Sequence, residues 1–140
     1  MKKIILFSIV AILVGCQSQK NLMLNNQWKL IELNGKNLTG ENVEITLTFN
    51  TSDHQVMGNG GCNRYFGGYK LIDNTIEISN LGSTKMFCAE TANFEEEYFN
   101  TLKDKSNLKV TENQLIFSRQ GKTILIFQKN NNKDLTYKSF

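Results

Sequence analysis

The chain has 140 residues, the size of a single domain, and its 16 basic and 13 acidic residues give a formal net charge of +3. Two of the basic residues lie within the first fifteen positions, so residues 16–140 carry a charge of only +1. This balance gives no support to a nucleic-acid-binding function. No internal repeat, linker or second domain is visible in the sequence.

Residues 1–15 have the features of an export signal. Lys2 and Lys3 precede an apolar region at 4–14, and Gly15 leads into Cys16. This apolar region is shorter than the roughly 20 residues that a membrane-spanning helix needs. The ending LVGC resembles a lipobox, which predicts cleavage before Cys16 and lipid on that cysteine. A plain secretory signal or a short anchor helix is the alternative.

Residues 16–26 are expected to be the lipidated cysteine followed by a short polar tether. Gln17 comes directly after Cys16, whereas lipoproteins kept at the inner membrane commonly carry Asp at that place. We therefore expect an exported protein, anchored by lipid in the outer membrane and facing the periplasm. Pairing of cysteines is the default in such an oxidising compartment.

Short β-like runs follow one another through the rest of the chain, separated by turn signals rich in Asn and Gly. The run at 43–49 alternates, with Ile45 facing a core and Thr46 facing water. Eight such runs are predicted, at 28–34, 43–49, 55–60, 64–71, 74–81, 108–110, 114–118 and 122–129.

One segment has a helical pattern instead. Its apolar residues recur every four positions, which predicts an α-helix at about residues 92–104: Phe94, Tyr98 and Leu102. Asn93 is the predicted N-cap. The glutamates at 95–97 are expected to lie in solvent, where the helix dipole favours negative charge. An acidic docking patch is the alternative interpretation.

The predicted fold class is mostly β, a small antiparallel barrel-like domain of about eight short strands with one inserted α-helix. Strands at this spacing also fit a sandwich. The domain is expected to span residues 27–130. Residues 131–140 are predicted to be a polar tail or a last edge strand.

The stretch GNGGCNRYFGGY, residues 58–69, contains five glycines and Cys62. A phosphate-binding loop would lead into a helix, but a strand-like run follows here, so the glycines are interpreted as bends in a small barrel. Once Cys16 is assigned to lipid, Cys62 and Cys88 remain, and they are predicted to form a disulfide. Two free buried thiols are the alternative, followed by a redox-active pair.

Catalytic and metal sites find little support in the sequence. The only histidine, His54, lies in a turn-like loop, and no second group is placed to make it a general base for a cysteine. Zinc motifs such as C-x-x-C are absent from the sequence. We therefore predict no catalytic residue, no metal site and no cofactor.

Several segments together closely resemble the META domain of HslJ-like lipoproteins: WKLIELNGK, GNGGCNRYFGGY, IEISNLGSTKMFCAE, FEEEYFNTL and QLIFS…KTILIFQK. The resemblance covers roughly residues 25–130. Phe87 is bulkier than the residue often found at its position, and Phe66 stands where members vary. The matching motif residues, for which the resemblance implies structural roles, are Gly61, Cys62, Asn63, Arg64, Gly68, Tyr69, Thr84, Met86 and Cys88.

The resemblance implies a compact β-rich fold with one helix, export, and links to heat induction, antibiotic tolerance and secretion, but no catalytic mechanism. We expect a non-enzymatic envelope lipoprotein with a binding or scaffold role in outer-membrane homeostasis or stress tolerance. The expected partners are the membrane, through Cys16, and an unknown envelope protein; nucleic acid is not expected, and a monomer is favoured. A barrel-type binder of a small apolar ligand or peptide is one alternative, and an enzyme of unknown reaction is another.

Overall fold

A computed structural model of the protein describes residues 23–131. The predicted signal peptide, Cys16, most of the tether and the C-terminal tail lie outside the described residues. The elements, in chain order, are β1 (Gln27–Leu33), β2 (Lys36–Asn37), β3 (Thr46–Asn50), β4 (Gln55–Asn59), β5 (Arg64–Ile72), β6 (Thr75–Ser83), α1 (Ala92–Lys103), β7 (Ser106–Val110), β8 (Gln114–Arg119) and β9 (Lys122–Lys129). Between residues 23 and 131 no helix is long and apolar enough to cross a membrane.

All the strands belong to one antiparallel sheet that closes in a ring. The order is β2-β1-β3-β4-β5-β6-β7-β8-β9, and β9 also pairs with β1. The predicted barrel-like class with one inserted helix is confirmed. The additional strand is the two-residue β2, which the Asn34-Gly35 turn folds back onto β1. Both turn residues have positive φ, 49° and 86°, as a two-residue hairpin turn requires.

Large apolar side chains fill the inside of the ring. Along β5, β7 and β8 they alternate with residues that face outward, as expected for strands with one buried face, whereas β9 buries both Ile124 and Leu125. The largest fully buried ones are Trp28, Tyr98, Phe49, Phe117 and Phe127. The alternation predicted for β3 is wrong at Thr46, which is only 7% exposed. Its Oγ1 accepts a hydrogen bond from the Asn59 N–H at 3.0 Å, so this hydroxyl is held by the neighbouring strand.

The two ends of the ring differ. At one end, here called the helix end, Asn34 donates from Nδ2 to Glu97 Oε1 at 2.8 Å, which links α1 to the end of β1. At the other end, here called the terminal end, the Asn130 N–H donates to the Gln27 carbonyl at 2.8 Å. The described chain therefore both begins and ends at the terminal end, away from α1.

The ring is open along part of one seam. β6 pairs with β5 along its length, from Thr75 to Ser83. Its pairing with β7 is limited to Thr75 and Ile76. From Glu77 to Ser83 no registered strand of the described chain lies on the other side of β6, where α1 packs nearby.

Gly58 allows β3 and β4 to approach closely. A Cβ at this position would lie 2.0 Å from the Thr46 carbonyl oxygen and 2.9 Å from Tyr65 Oη. Because a backbone atom cannot move aside without separating the strands, we expect Gly58→Ala to lower the free energy of unfolding by about 2 kcal/mol. A Cβ at Gly40 would meet no atom within 4 Å. Gly40→Ala is therefore the control, with an expected change below about 0.5 kcal/mol in urea unfolding; equal effects would contradict the close approach.

Candidate functional site

The stretch GNGGCNRYFGGY and the segment TKMFC, residues 84–88, meet at the helix end. Cys62, between β4 and β5, and Cys88, between β6 and α1, form the predicted disulfide, with their Cα atoms 5.9 Å apart. The bond fixes the β6–α1 connection against the start of β5. The glycine-rich stretch thus forms a corner of the ring that the disulfide fixes in place. It is followed by a strand and not by a helix.

Asn63 stands at the centre of this corner and is buried. Its Oδ1 accepts hydrogen bonds from the Met86 N–H at 2.7 Å and from Thr84 Oγ1 at 2.8 Å. Its Nδ2 donates to the Met86 carbonyl at 3.1 Å and to Glu95 Oε2 at 2.6 Å. An amide side chain has two acceptor positions and two donor hydrogens, so every position is used. We call Asn63, Thr84, Met86 and Glu95 the polar hub.

Glu95 supplies the carboxylate of the polar hub. Its Oε1 accepts from the Asn63 N–H at 2.6 Å and from the Cys62 N–H at 3.3 Å. Glu95 is buried, and no basic side chain of residues 23–131 lies within ion-pair distance of it. Amide groups of the motif therefore supply the hydrogen bonds to this carboxylate.

The prediction that all three glutamates face solvent is wrong for Glu95, although Glu96 and Glu97 are exposed. The predicted Asn93 cap is also wrong. Thr91 occupies the N-cap position, without a side-chain capping bond, and Asn93 already lies within the helix. The signal that would have found Glu95 is its spacing, since it precedes Tyr98 by three residues and so shares the buried stripe.

The left-handed position in the loop between β4 and β5 is Gly61, with φ 115°. Arg64 and Thr84 hydrogen-bond across the corner through the Arg64 backbone. The Arg64 N–H donates to Thr84 Oγ1 at 3.2 Å, and the Thr84 N–H donates to the Arg64 carbonyl at 3.0 Å. The Arg64 side chain is not part of these bonds.

The remaining candidate residues lie outside the polar hub. Tyr69 is buried, with its ring edge-on to Phe49 at 5.1 Å, and its N–H donates to the His54 carbonyl at 2.9 Å. Gly68 lies in β5 between β4 and β6. The His54 side chain is exposed on its turn. No group of three His, Cys, Asp or Glu in the part of the chain that the structure describes could hold a metal ion.

A pair of buried phenols lies beneath the polar hub. Tyr65 Oη donates to the Thr46 carbonyl at 2.8 Å, so the 2.6 Å bond between the two phenols must run from Tyr98 Oη to Tyr65 Oη. Burial raises the pKa of Tyr98 far above its usual value, and burial together with the neighbouring Tyr98 raises the pKa of Tyr65. These hydroxyls are neutral links between β3, β5 and α1.

The raised pKa values of the two phenols predict a loss of stability in alkali. The unfolded chain releases these protons near pH 10, whereas the folded chain retains them. The stabilisation is fully present below pH 10, and we expect it to decline above pH 10 by about 1.4 kcal/mol per pH unit for each phenol. Urea unfolding between pH 9 and 11 measures the slope. Tyr98→Phe is the control, with an expected slope shallower by one phenol's share; an unchanged slope would contradict the assignment.

A polar groove lies on the outside of α1, at the helix end. Its volume is about 500 Å³, and the Arg119 guanidinium crosses it, with Nη1 3.1 Å from Asp104 Oδ2. Its lining residues, which the sequence did not indicate, are Asn34, Asn93, Glu96, Glu97, Asn100, Thr101, Asp104 and Arg119. The groove is open and hydrophilic, and it is separate from the packed apolar interior, where an apolar ligand inside the barrel would have to lie.

Large apolar side chains beside the motif face solvent. Phe66 is 65% exposed, Met86 60% and Phe87 86%. The Phe66 ring lies over Gly82 of β6, with Cζ 3.0 Å from the place where a Cβ of Gly82 would be. Met86 is held through its backbone by Asn63, and Cys88 is held by the disulfide. Phe87 lies between these two fixed points, so its exposure is imposed by the structure of the corner.

Comparisons with known proteins agree with this geometry. The family model of the META domain matches residues 20–132. A protein from Burkholderia xenovorans solved by NMR is 25% identical, with a TM-score of 0.62, over 81% of this chain and 88% of that one. A second NMR structure is 23% identical, with a TM-score of 0.61, over 78% and 92% of the two chains. No match is found among curated protein sequences.

A crystal structure of a DUF4847 family protein from Bacteroides vulgatus is similar in fold. It is 16% identical, with a TM-score of 0.55, over 79% of this chain and 96% of that one. At this identity the likeness concerns the fold alone. A similar fold therefore occurs in a protein that is only 16% identical in sequence to this chain.

Proposed function

The chain belongs to the META domain family, and from that premise we propose that it is a non-enzymatic, lipid-anchored envelope protein. It acts as a binding or scaffold module in outer-membrane homeostasis or stress tolerance. One observation carries the proposal: the side chains of Asn63 and Glu95 are engaged in hydrogen bonds within the corner, while Phe66, Met86 and Phe87 beside them face solvent.

The state of the polar hub supports a role without catalysis. An active site needs polar groups that are free to meet a substrate and lie within reach of one another. Asn63 has no free hydrogen-bonding position, and the Glu95 carboxylate is buried against the amides of the corner. The exposed His54 lies on the β3–β4 turn, at the opposite end of β4 from the disulfide.

The disulfide and the position of the chain ends support anchoring in the envelope. Disulfides persist in oxidising compartments outside the cytosol. Cys16 precedes Met23 by seven residues, which span at most about 25 Å when extended. Because the described chain begins at the terminal end, such a tether directs the helix end, with Met86 and Phe87, away from the membrane.

The anchoring is tested by Cys16→Ser. The unchanged protein is expected to incorporate labelled palmitate and to fractionate with the outer membrane. The variant is expected to lose the label and to leave the outer-membrane fraction. A protein that carries no label and stays in the cytosol with Cys62 and Cys88 as free thiols would contradict the proposal.

The binding role is tested by photocrosslinking in intact cells. A benzophenone amino acid in place of Phe87, on the exposed corner of the helix end, is expected to give a discrete protein adduct. The same group in place of Glu112, which is exposed on the β7–β8 turn, is the control and is expected to give none. Identical patterns from both positions, or no adduct from Phe87, would contradict a binding role for the helix end.

A further inference from the structure

The open edge of β6 presents backbone groups that no strand uses. The Thr84 N–H donates to the Arg64 carbonyl at 3.0 Å, so Thr84 faces β5. Because successive residues of a strand direct their N–H and C=O groups to opposite sides, those of Ser83 face away from β5. On that side, no hydrogen bond from residues 23–131 reaches the backbone between Leu81 and Ser83.

At the beginning of β6 the same edge is paired with β7, unlike the edge between Leu81 and Ser83. There the Leu108 N–H donates to the Asn74 carbonyl at 2.6 Å, and Ile76 pairs with Ser106. β7 thus completes the sheet beside the first two residues of β6 and then diverges. Above this point α1 packs beside β6 but gives no backbone ladder.

The edge is only partly protected against addition of a strand. In natural proteins, bulges, charged residues or proline in an edge strand prevent another strand from pairing with it. Asn80, with φ 54°, bends β6 next to a register shift in its pairing with β5, and this bulge interrupts the edge. From Ser79 to Ser83, however, the chain carries no charge and no proline. Above the bulge Gly82 and Ser83 pair in register with β5, and together with Leu81 before them they form an uncharged edge.

Phe66 gives this edge a preference for an apolar side chain. Its ring covers Gly82 on the outer face of the sheet and is 65% exposed. A strand added beside β6 would lie about 4.8 Å away, and its residue opposite Gly82 would direct its side chain to that outer face. Because Gly82 has no side chain, the incoming side chain would lie directly against the Phe66 ring.

We propose that the edge Leu81–Ser83 accepts an extended segment of a partner protein as an added strand, with an apolar residue of that segment packed against Phe66. This mode of recognition uses backbone bonds for affinity and alternate side chains for specificity. The inference rests on the proposed binding function and names the chemistry of the partner.

Other occupants fit this edge less well. A single extended segment needs less room than a second copy of the chain, whose own α1 lies beside its β6. The C-terminal residues of this chain follow Asn131 at the terminal end, whereas Ser83 lies next to the disulfide corner at the helix end.

The test uses a nine-residue peptide of alternating threonine and valine with one central phenylalanine. Titrated into the ¹⁵N-labelled protein, it is expected to shift the amide signals of Gly82 and Ser83 and to slow exchange of the Ser83 amide. Methylation of the peptide amides that face β6 is expected to abolish binding, whereas methylation of the alternate amides leaves it intact. The two methylated peptides are equally apolar, so they separate strand addition from nonspecific contact.

Two variants of β5 test the apolar contact. Phe66→Ser is expected to weaken peptide binding at least about tenfold, the loss of roughly 1.4 kcal/mol. Ile72→Ser is the matched control, because Ile72 lies on the same strand, is 70% exposed and is far from Gly82; binding is expected to be unchanged. Ser83→Pro removes the N–H at the edge and is expected to abolish binding, with the unfolding temperature reporting that the fold is intact.

Several results would overturn the proposal. The first is a peptide-induced shift of amide signals confined to Met86 and Phe87. The second is equal affinity of the two methylated peptides for the protein, and the third is an equal loss of peptide affinity in Phe66→Ser and Ile72→Ser. Slow exchange of the Ser83 amide without peptide would show that the edge is already occupied, by a second copy if the protein sediments as a dimer and by its own tail if it sediments as a monomer. Peptide binding without any cellular crosslink from Phe87 would instead count against the proposed function and leave the edge assignment standing.

Discussion

Glu95→Ala is expected to lower the free energy of unfolding by about 4 kcal/mol. The substitution removes the acceptor for three donors at once: the Cys62 N–H, the Asn63 N–H and the Asn63 side-chain amide. A buried donor without a partner costs about 1–3 kcal/mol, and hydrogen bonds to a charged acceptor lie at the strong end of the range. Urea unfolding at neutral pH measures the change.

The neighbouring Glu96 provides the control, because it is exposed one residue further along the same helix. Glu96→Ala is expected to change the stability by less than about 0.5 kcal/mol. Glu95→Gln is expected to be intermediate, since its amide keeps one acceptor oxygen but places a second NH₂ group against Asn63. A loss for Glu95→Ala no larger than that for Glu96→Ala would mean that the polar hub does not stabilise the fold.

Removal of the disulfide by Cys62→Ser together with Cys88→Ser is expected to lower the free energy of unfolding by about 3.5 kcal/mol. The bond spans a sequence separation of 26 residues, and the chain-entropy estimate for a loop of this length gives that value. Unfolding of the unchanged protein with and without reductant is the independent measurement. A change below about 1 kcal/mol would contradict the estimate.

The disulfide and Glu95 are expected to be coupled. Both hold the same corner, because Cys62 and Asn63 are adjacent and Glu95 binds the N–H groups of both. Without the disulfide the corner is freer to move, so less is lost when Glu95 is replaced. A double-mutant cycle is expected to give a coupling of at least about 1 kcal/mol. Additivity within about 0.5 kcal/mol would show that the two restraints act independently.

The strands and the helix were predictable because each is encoded by a local pattern. The spacing of Phe94, Tyr98 and Leu102 predicted α1 at about 92–104, and it spans Ala92–Lys103. The closure of the ring was not predictable in detail. It depends on pairing between β1 and β9, and no local signal in either strand specifies the other as its neighbour.

Within the candidate site, the pairing of Cys62 with Cys88 was predictable because only two cysteines remain after Cys16. The buried carboxylate was not, because acidic residues in a first helical turn are ordinarily solvated. Glu95 is an exception, since the N-cap is Thr91, two residues before the predicted Asn93, and α1 crosses the motif corner. Thr46 was wrongly predicted to face water because its side chain is polar. Its hydroxyl instead accepts a hydrogen bond from the neighbouring strand β4.

The pairing of β1 with β9 has a consequence for the time order of folding. Trp28 pairs with Lys129, so the second edge of β1 is paired only when almost the whole described chain is available. Contacts between residues so distant in sequence form slowly, because a large loop must close before they contribute. Until β9 is available, one edge of β1 stays unpaired, although the hairpins from β3 to β6 can already form. A segment that adds to strands could bind β1 during that interval, so the newly made chain is most open to mispairing just before its last strand arrives.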